Sequence, residues 1–321
     1  MSITRLIQKQ EDPASRLETL INQAEPRIRD SFLRAVQSVR SQRSLTELIR
    51  LLEAGQLEEA LDLIEEIPAL LATQVSFTLV TSGEDTAELI ARVLNRPVSF
   101  DQTNTRAVNI MQNNRLRLIR EFSTEQRNAT RQALVDGIAR GMNPRQQARA
   151  FRDSIGLTTR QLQAVQRYRS LLEMNSRQVL DRQLRDRRFD RTVQRAIDTD
   201  TPLTTQQIDR MVERYQERYL RYRSEVIART EALRSVHQGS EEMYQQAFDA
   251  GTLDPGALVR TWVTARDTRV RDSHNGMNRQ QRAFGETFTS DNGIPLRYPG
   301  DENAPASETV QCRCVLTTRF L

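Results

Sequence analysis

The residue types most often used in catalysis or metal binding are concentrated near the C-terminus. Residues 260–316 contain both cysteines, Cys312 and Cys314, the only tryptophan, Trp262, and His274, one of two histidines. On a strand, residues two positions apart point to the same side, so both sulfur atoms could reach one metal ion, with His274 as a third ligand. The spacing therefore makes a zinc site one interpretation of this stretch.

Two other interpretations of the cysteine pair stay open. Free cysteine packs as a compact hydrophobic residue, which favours two buried thiols inside a small sheet over a metal site. A disulfide between the two cysteines is the third alternative. We therefore expect no cofactor, with zinc as the exception, and its fourth ligand would be Asp267, Asp301, Glu308 or water.

A catalytic interpretation is suggested by the run Asp272-Ser273-His274. Adjacent residues do not form a triad by adjacency, because the base must reach the proton of the nucleophile in space. The sequence also lacks a Gly-rich phosphate loop, an HExxH motif and a nucleophile elbow. We therefore predict that the protein is not an enzyme, and a metal-dependent hydrolase is the least favoured alternative.

The elements that position these residues are predicted to be mainly helical. The 321-residue chain shows helical spacing of apolar residues up to about residue 250, ending in one long helix over 206–250, roughly 60 Å in length. After Gly256 the pattern alternates through Leu258, Arg260 and Trp262, which predicts a strand, and 309–317 alternates again. The predicted fold is mainly α: an elongated multi-helix region with a long helix, followed by a small C-terminal α+β domain.

Composition shifts and breaks divide the sequence into four predicted regions. They are an N-terminal helical region (1–100), a basic helical region (101–205), the long connecting helix (206–250) and the C-terminal α+β domain (251–321). A loose polar arm is predicted at 1–12, and one charged helix at 176–197. Helix starts are predicted at Ser123 with Gln126, at Asn143 before a proline, and at Thr158 with Gln161.

Charge is unevenly distributed. The net charge is +5, and the middle of the chain is basic between two mildly acidic ends. A basic middle suits contact with a polyanion or an acidic protein surface. On charge alone, the favoured alternative is a solvated helical surface whose arginines pair with neighbouring glutamates. Because aromatic residues are not interleaved with the arginines, contact with duplex DNA is favoured over single-strand binding. The candidate contact residues are Arg115, Arg117, Arg120, Arg127, Arg131, Arg145, Arg149 and Arg152.

Neither a signal peptide nor a membrane-spanning segment is expected. The longest apolar region, around 67–80, is short and interrupted by Gln74 and Thr78. Two cysteines do not form a disulfide framework. We expect a soluble protein that is made inside a cell and has no membrane partner.

A set of polar and aromatic residues in the last hundred positions resembles the Mu F-like phage head morphogenesis family, which includes portal-associated minor head proteins. The residues that carry the resemblance, in order, are Arg229, Thr230, Glu231, Trp262, Asp267, Arg269, His274, Asp301, Cys312, Arg313 and Cys314. The resemblance covers 220–321 closely and 104–172 only loosely.

The resemblance implies a structural or assembly component of a virion, associated with the portal and the capsid interior and made in the host cytoplasm. Its partners would be the portal protein and other head proteins. The alternative is a non-specific DNA-binding protein packaged or ejected with the genome, with double-stranded DNA as partner. Family members with a fuller zinc-ligand pattern have cysteines at the positions of Arg271 and His274 and a histidine near Thr309. This chain departs from that pattern, which weakens the expectation of structural zinc.

Overall fold

The computed structural model describes residues 13–62, 66–139 and 141–321. The polar arm predicted at 1–12 lies outside the described residues. The described chain is mainly helical, with a small antiparallel β part near the C-terminus, and this confirms the predicted fold class. None of the described helices combines the length and apolar character that a membrane span requires.

The helices and strands follow one another in chain order. The helices are α1 (Pro13–Val39), α2 (Gln42–Glu53), α3 (Leu57–Asp62), α4 (Glu66–Leu94), α5 (Thr105–Ala139), α6 (Pro144–Ser154), α7 (Thr159–Glu173), α8 (Asp190–Asp198), α9 (Thr205–Asp249) and α10 (Ala306–Thr309). The strands are β1 (Leu258–Val263), β2 (Gln281–Ala283), β3 (Phe288–Thr289), β4 (Pro295–Leu296) and β5 (Val315–Phe320).

Two helix starts were predicted correctly from capping chemistry. The side chain of Asn143 accepts a hydrogen bond from the backbone N–H of Gln146, and the Gln146 side chain accepts one from the backbone N–H of Asn143. Thr158 and Gln161 form the same reciprocal pair at the start of α7. These exchanges satisfy N–H groups that a helix start leaves without partners. The long helix is also confirmed, as α9.

The helix start predicted at Ser123 is wrong, because α5 continues through it without a break. Gln126 is buried and bonds to a distant loop instead of capping a helix. Its amide donates to the carbonyl oxygen of Ser154 over 3.1 Å, and its side-chain oxygen accepts from the N–H of Gly156 over 2.6 Å. A polar residue that looks like a cap in the sequence therefore has a tertiary role.

The single charged helix predicted at 176–197 is also wrong. The segment forms two short 3-10 turns, Arg177–Val179 and Arg187–Phe189, before α8 begins. Side chains interrupt the helix: Ser176 accepts from the N–H of Gln178, and Asp186 accepts from the N–H of Arg188. Such local bonds compete with helical hydrogen bonds.

Two compact units divide the chain. Unit 1 comprises the described residues up to 31 together with 71–116 and 225–321, and unit 2 comprises the described residues of 32–70 and 117–224. In unit 2, Tyr168 of α7 stacks on Tyr215 of α9, with ring centroids 4.1 Å apart, inside a core of leucine and valine side chains. The division into four sequence regions stays a prediction.

Within unit 1, the second half of α9 packs closely against α4. A Cβ added to Gly239 would lie 2.1 Å from the carbonyl oxygen of Leu79, so only glycine fits at this crossing. Next to it, the hydroxyl of Ser82 donates to the carbonyl oxygen of Val236 over 2.6 Å. Residues 231–240 are all buried, so this stretch of α9 forms part of the core of unit 1.

The C-terminal sheet has the order β2-β1-β5, with antiparallel neighbours, and β3 pairs with β4 as a separate hairpin. Trp262 lies opposite Leu316, and Val259 lies opposite Ala283. Burial alternates along β1, which confirms the predicted strand. Its buried side presents Leu258, Arg260 and Trp262, so a charged residue lies on the core face.

The strand predicted at 309–317 begins later than expected. Helix α10 ends at Thr309 and β5 starts only at Val315, so Cys312 and Cys314 lie in the connecting segment. Gln311 has a left-handed backbone, with φ of 55°, and its N–H donates to the Thr230 hydroxyl oxygen over 3.1 Å. That bond to α9 fixes the turn ahead of the cysteines.

Candidate metal centre

Three separate elements bring the cysteines and His274 together in unit 1. His274 ends a 3-10 turn, Asp272–His274, in the connection between β1 and β2. Cys312 and Cys314 lie between α10 and β5. Trp262 of β1 closes one side, with its ring edge-on to the imidazole and the ring centroids 5.5 Å apart. All four side chains are buried.

One nitrogen of His274 faces both sulfur atoms. The Sγ atoms of Cys312 and Cys314 lie 3.6 Å and 3.5 Å from Nδ1 of His274. The three candidate ligand atoms all lie within 4.8 Å of one another. In tetrahedral zinc sites, bond lengths of about 2.3 Å to sulfur and 2.0 Å to nitrogen separate the two ligand atoms by about 3.5 Å. The observed distances fit that geometry.

The other nitrogen of His274 faces a carboxylate. Nε2 lies 2.9 Å from Oε2 of Glu308, which is buried on α10. Glu308 is itself held by Ser273, whose hydroxyl donates to Oε2 over 2.8 Å, and by Asn292, whose amide donates to Oε1 over 3.0 Å. A carboxylate on the far nitrogen is the usual outer partner of a metal-binding histidine, and it orients the ring.

The surroundings lower the pKa values of Cys312 and Glu308 and raise that of Cys314. The hydrogen bond between the two thiols lowers the pKa of Cys312 well below its usual value, against the effect of burial, and raises the pKa of Cys314. Burial acts to raise the pKa of Glu308, but bonds from Asn292 and Ser273 outweigh it and hold that pKa below its usual value. Glu308 is therefore ionised at neutral pH.

The other residues that the sequence offered as fourth ligands are engaged elsewhere. The carboxylate of Asp267 pairs with Arg313 and Arg269. The carboxylate of Asp301 accepts from Arg297, whose guanidinium lies 2.7 Å away. Glu308 reaches the imidazole on the side opposite the sulfur atoms. The described residues thus supply a three-ligand set of two sulfur atoms and one nitrogen.

Ser273 is not arranged as a nucleophile activated by its neighbour. Its hydroxyl donates to Glu308, and the imidazole of His274 faces Glu308 on one edge and the two thiols on the other. Ser273 therefore holds the buried carboxylate that faces the imidazole of His274.

The Arg-Thr-Glu run on α9 contacts the segment that carries the cysteines. The Arg229 guanidinium donates to the carbonyl oxygen of Cys312 over 3.2 Å and pairs with Glu25 over 2.6 Å. Thr230 accepts from Gln311, as described above, and Glu231 pairs with Arg234 over 3.1 Å. Each residue of the run thus has a buried or partly buried partner within unit 1.

Sequence reasoning missed a second buried polar network. Arg260 is only 1% exposed, and its NH1 donates to both carboxylate oxygens of Glu241 over 3.0 Å. Its guanidinium also lies over the rings of Phe284 and Phe288, 5.1 Å and 5.6 Å from their centroids. An arginine in phase with the leucine and tryptophan of β1 was the available signal.

Of the eight arginines predicted to contact DNA or an acidic surface, half form ion pairs within the protein. Arg117 pairs with Glu121, Arg152 with Asp153, and both Arg127 and Arg131 with Glu58. Within the described residues, no carboxylate pairs with the other four. Those four, all exposed, are Arg115, Arg120, Arg145 and Arg149.

Comparison with known proteins gives one match. Residues 176–317 match the family model described as Phage Mu protein F like protein. The match confirms the resemblance, and it starts earlier than the 220 boundary expected from the motif residues, whereas the loosely similar 104–172 lies outside it. No curated protein matches the chain, and no solved structure matches it.

Proposed function

We propose that this chain, whose residues 176–317 match the family model described as Phage Mu protein F like protein, is a minor head protein of a bacteriophage. The match points to a phage head-related protein with other head proteins as partners. The finer proposal is that the chain is an assembly component that joins the head at the portal vertex and faces the capsid interior. The family match carries this proposal.

The geometry of the motif residues supports a structural role. Arg229 and Thr230 bind the backbone before and at Cys312, and Arg234 donates to the carbonyl oxygen of Gly300 over 2.9 Å. These bonds fix the loops of the C-terminal part of unit 1 (251–321, below called the C-terminal module) to α9. A module held by buried side-chain-to-backbone bonds presents a preorganised surface, which suits docking to a partner.

The proposed partner surface is supported by the exposed arginines that have no carboxylate partner among the described residues. The exposed Arg145 and Arg149 on α6, and Arg120 on α5, can pair with carboxylates of a portal surface or with DNA phosphates. Non-specific DNA binding remains the alternative function, since the same side chains suit both partners.

Assembly of heads in the presence and absence of the portal protein tests the proposal. We expect the chain to co-purify with portal-containing heads, since the portal provides its docking surface, and to fall to background in heads built without portal. Quantitative mass spectrometry of the purified particles is the measurement. Equal amounts in both kinds of head would show that the portal is not the docking partner, although the chain would still be a head component.

As a second proposal, the His274, Cys312 and Cys314 cluster holds zinc. The sulfur-to-nitrogen distances near 3.5 Å and the carboxylate behind His274 support it. Bound zinc would cross-link the turn after β1 to the segment before β5, and would thereby stabilise the C-terminal module.

The zinc content of the purified protein should distinguish a zinc site from two packed thiols. Purified without chelators, the wild-type protein is expected to contain about one zinc per chain, and Cys314→Ser less than about a tenth, because a ligand is lost. His237→Gln changes the other histidine and should keep the metal. Elemental mass spectrometry measures all three. Wild-type protein with less than about a tenth of an equivalent would leave thiol packing as the explanation.

A further inference from the structure

A polar cleft lies in unit 2, far in sequence from the metal cluster and outside the motif residues. It has a volume of about 440 Å³ and is formed where α8 ends and the chain turns into α9. Its lining includes Arg191 and Arg195 of α8, Thr201 of the turn and Gln207 of α9. None of the lining residues is acidic, and none is aromatic.

Neither arginine has a carboxylate partner among the described residues. Two acids nearby pair with other arginines: Asp190 pairs with Arg185 over 3.0 Å. Asp186 pairs with Arg188 over 2.6 Å, and Asp198 accepts from Gln194 over 2.6 Å. Asp198 and Asp200, next to the lining residues Thr199 and Thr201, keep negative charges close to the cleft, and neither pairs with Arg191 or Arg195 among the described residues.

The position of the two guanidinium groups suits an oxyanion. Residues four apart on a helix share a face, with Cβ atoms about 6 Å apart, so Arg191 and Arg195 can close on one group. The planar guanidinium fork matches the oxygen atoms of phosphate. Both side chains are exposed in this structure, which leaves them accessible to a ligand.

Local hydrogen bonds hold the turn between α8 and α9 that lines the rest of the cleft. The hydroxyl of Thr199 donates to the carbonyl oxygen of Arg195 over 2.8 Å and lies 3.0 Å from the hydroxyl of Thr201. The side-chain oxygen of Gln207 accepts from the N–H of Thr204 over 2.9 Å, so its amide hydrogens remain as donors. The cleft thus offers donors from α8 and from the start of α9. Without an aromatic side chain it has no platform on which a base would stack.

We propose that this cleft binds a phosphate group, held by Arg191 and Arg195 with Gln207 as a further donor. The shared chemistry is a phosphate oxyanion, which a free phosphate or the phosphodiester backbone of duplex DNA could supply. The cleft lies outside the arginine set predicted from the sequence, and it does not depend on the proposed role in head assembly.

A matched pair of double variants tests this site. R191Q/R195Q removes two charges four positions apart on α8. R214Q/R221Q removes two exposed charges two turns apart on α9, at arginines outside the proposed DNA or portal contacts. Circular dichroism checks that both variants fold, and the single variants R191Q and R195Q provide the same test with a smaller change.

Two binding measurements distinguish the sources of phosphate. Inorganic phosphate is titrated by calorimetry, and a fluorescently labelled duplex DNA is titrated by anisotropy at fixed salt. Saturable phosphate binding at one equivalent, weakened at least about 10-fold in R191Q/R195Q and unchanged in R214Q/R221Q, supports free phosphate as the ligand. If phosphate does not bind, but the affinity for DNA falls in R191Q/R195Q and not in the control variant, the ligand is the phosphodiester backbone. Equal effects of the two variants, or no effect in either titration, would overturn the proposal.

Discussion

Replacing Arg260 by methionine should lower the free energy of unfolding by about 3 kcal/mol, the lower end of the cost of removing one partner from a buried ion pair, because the Glu241 side chain is 22% exposed. Methionine keeps most of the volume of the side chain but cannot bind Glu241. Arg260 also donates to the backbone oxygens of Arg297, Ala283 and Glu286, so three carbonyl groups would lose a donor. Urea unfolding at pH 7, followed by circular dichroism, measures the change.

The partner of Arg260 explains why the loss should be large. Burial raises the pKa of Glu241, and the positive charge of Arg260 opposes that rise. Without the guanidinium, Glu241 must either remain charged without a partner or bind a proton. The double variant R260M/E241Q removes both charges and should therefore be less destabilised than R260M alone. If the free energy of unfolding of R260M lies within about 1 kcal/mol of the wild-type value, the network does not stabilise the C-terminal module.

The second large effect is acid destabilisation caused by His237. Burial, with smaller contributions from the charges of Arg229 and Arg260, lowers its pKa from 6.5 to about 3. The unfolded chain therefore binds a proton at a pH where the folded protein does not. The contribution of His237 to the free energy of unfolding is fully present above the unfolded pKa of 6.5 and is lost as the pH falls below it. At pH 5 the loss should be about 2 kcal/mol.

Urea unfolding at pH 7 and at pH 5 tests this effect, with His237→Gln as the comparison. Carboxylates with lowered pKa values add their own acid dependence to both proteins, so the informative quantity is the difference between them. The loss from pH 7 to pH 5 should be about 2 kcal/mol smaller in His237→Gln. The same pH dependence in both proteins would show that His237 does not titrate as its environment indicates.

Elements with strong periodicity could be predicted from the sequence. Apolar spacing identified α9, and alternation identified β1, because the pattern in each extends over enough residues to exceed chance. The cap at Asn143 was predicted because its chemistry is local. Gln126 was misinterpreted because its partners, Ser154 and Gly156, are distant in sequence and become neighbours only in the fold.

Part of the candidate site could likewise be predicted from residue types, and the rest depends on residues that become neighbours only in the fold. His274, Cys312 and Cys314 could be selected by residue type, and the structure brings them together although the cysteines precede the strand on which they were placed. Glu308 was offered as a ligand, but it lies behind the imidazole, because the turn of α10 places it there. The cleft at Arg191 could not be predicted, since it depends on which acidic side chains other residues already bind.

The most direct test of the central claim is whether assembled heads contain this chain. The chain would be co-expressed with the capsid and portal proteins of its own phage, and the heads would be purified by density and then analysed by quantitative mass spectrometry. The account predicts a fixed number of copies in every preparation of portal-containing heads. Heads that assemble normally and lack the chain, while the folded protein accumulates outside them, would contradict it.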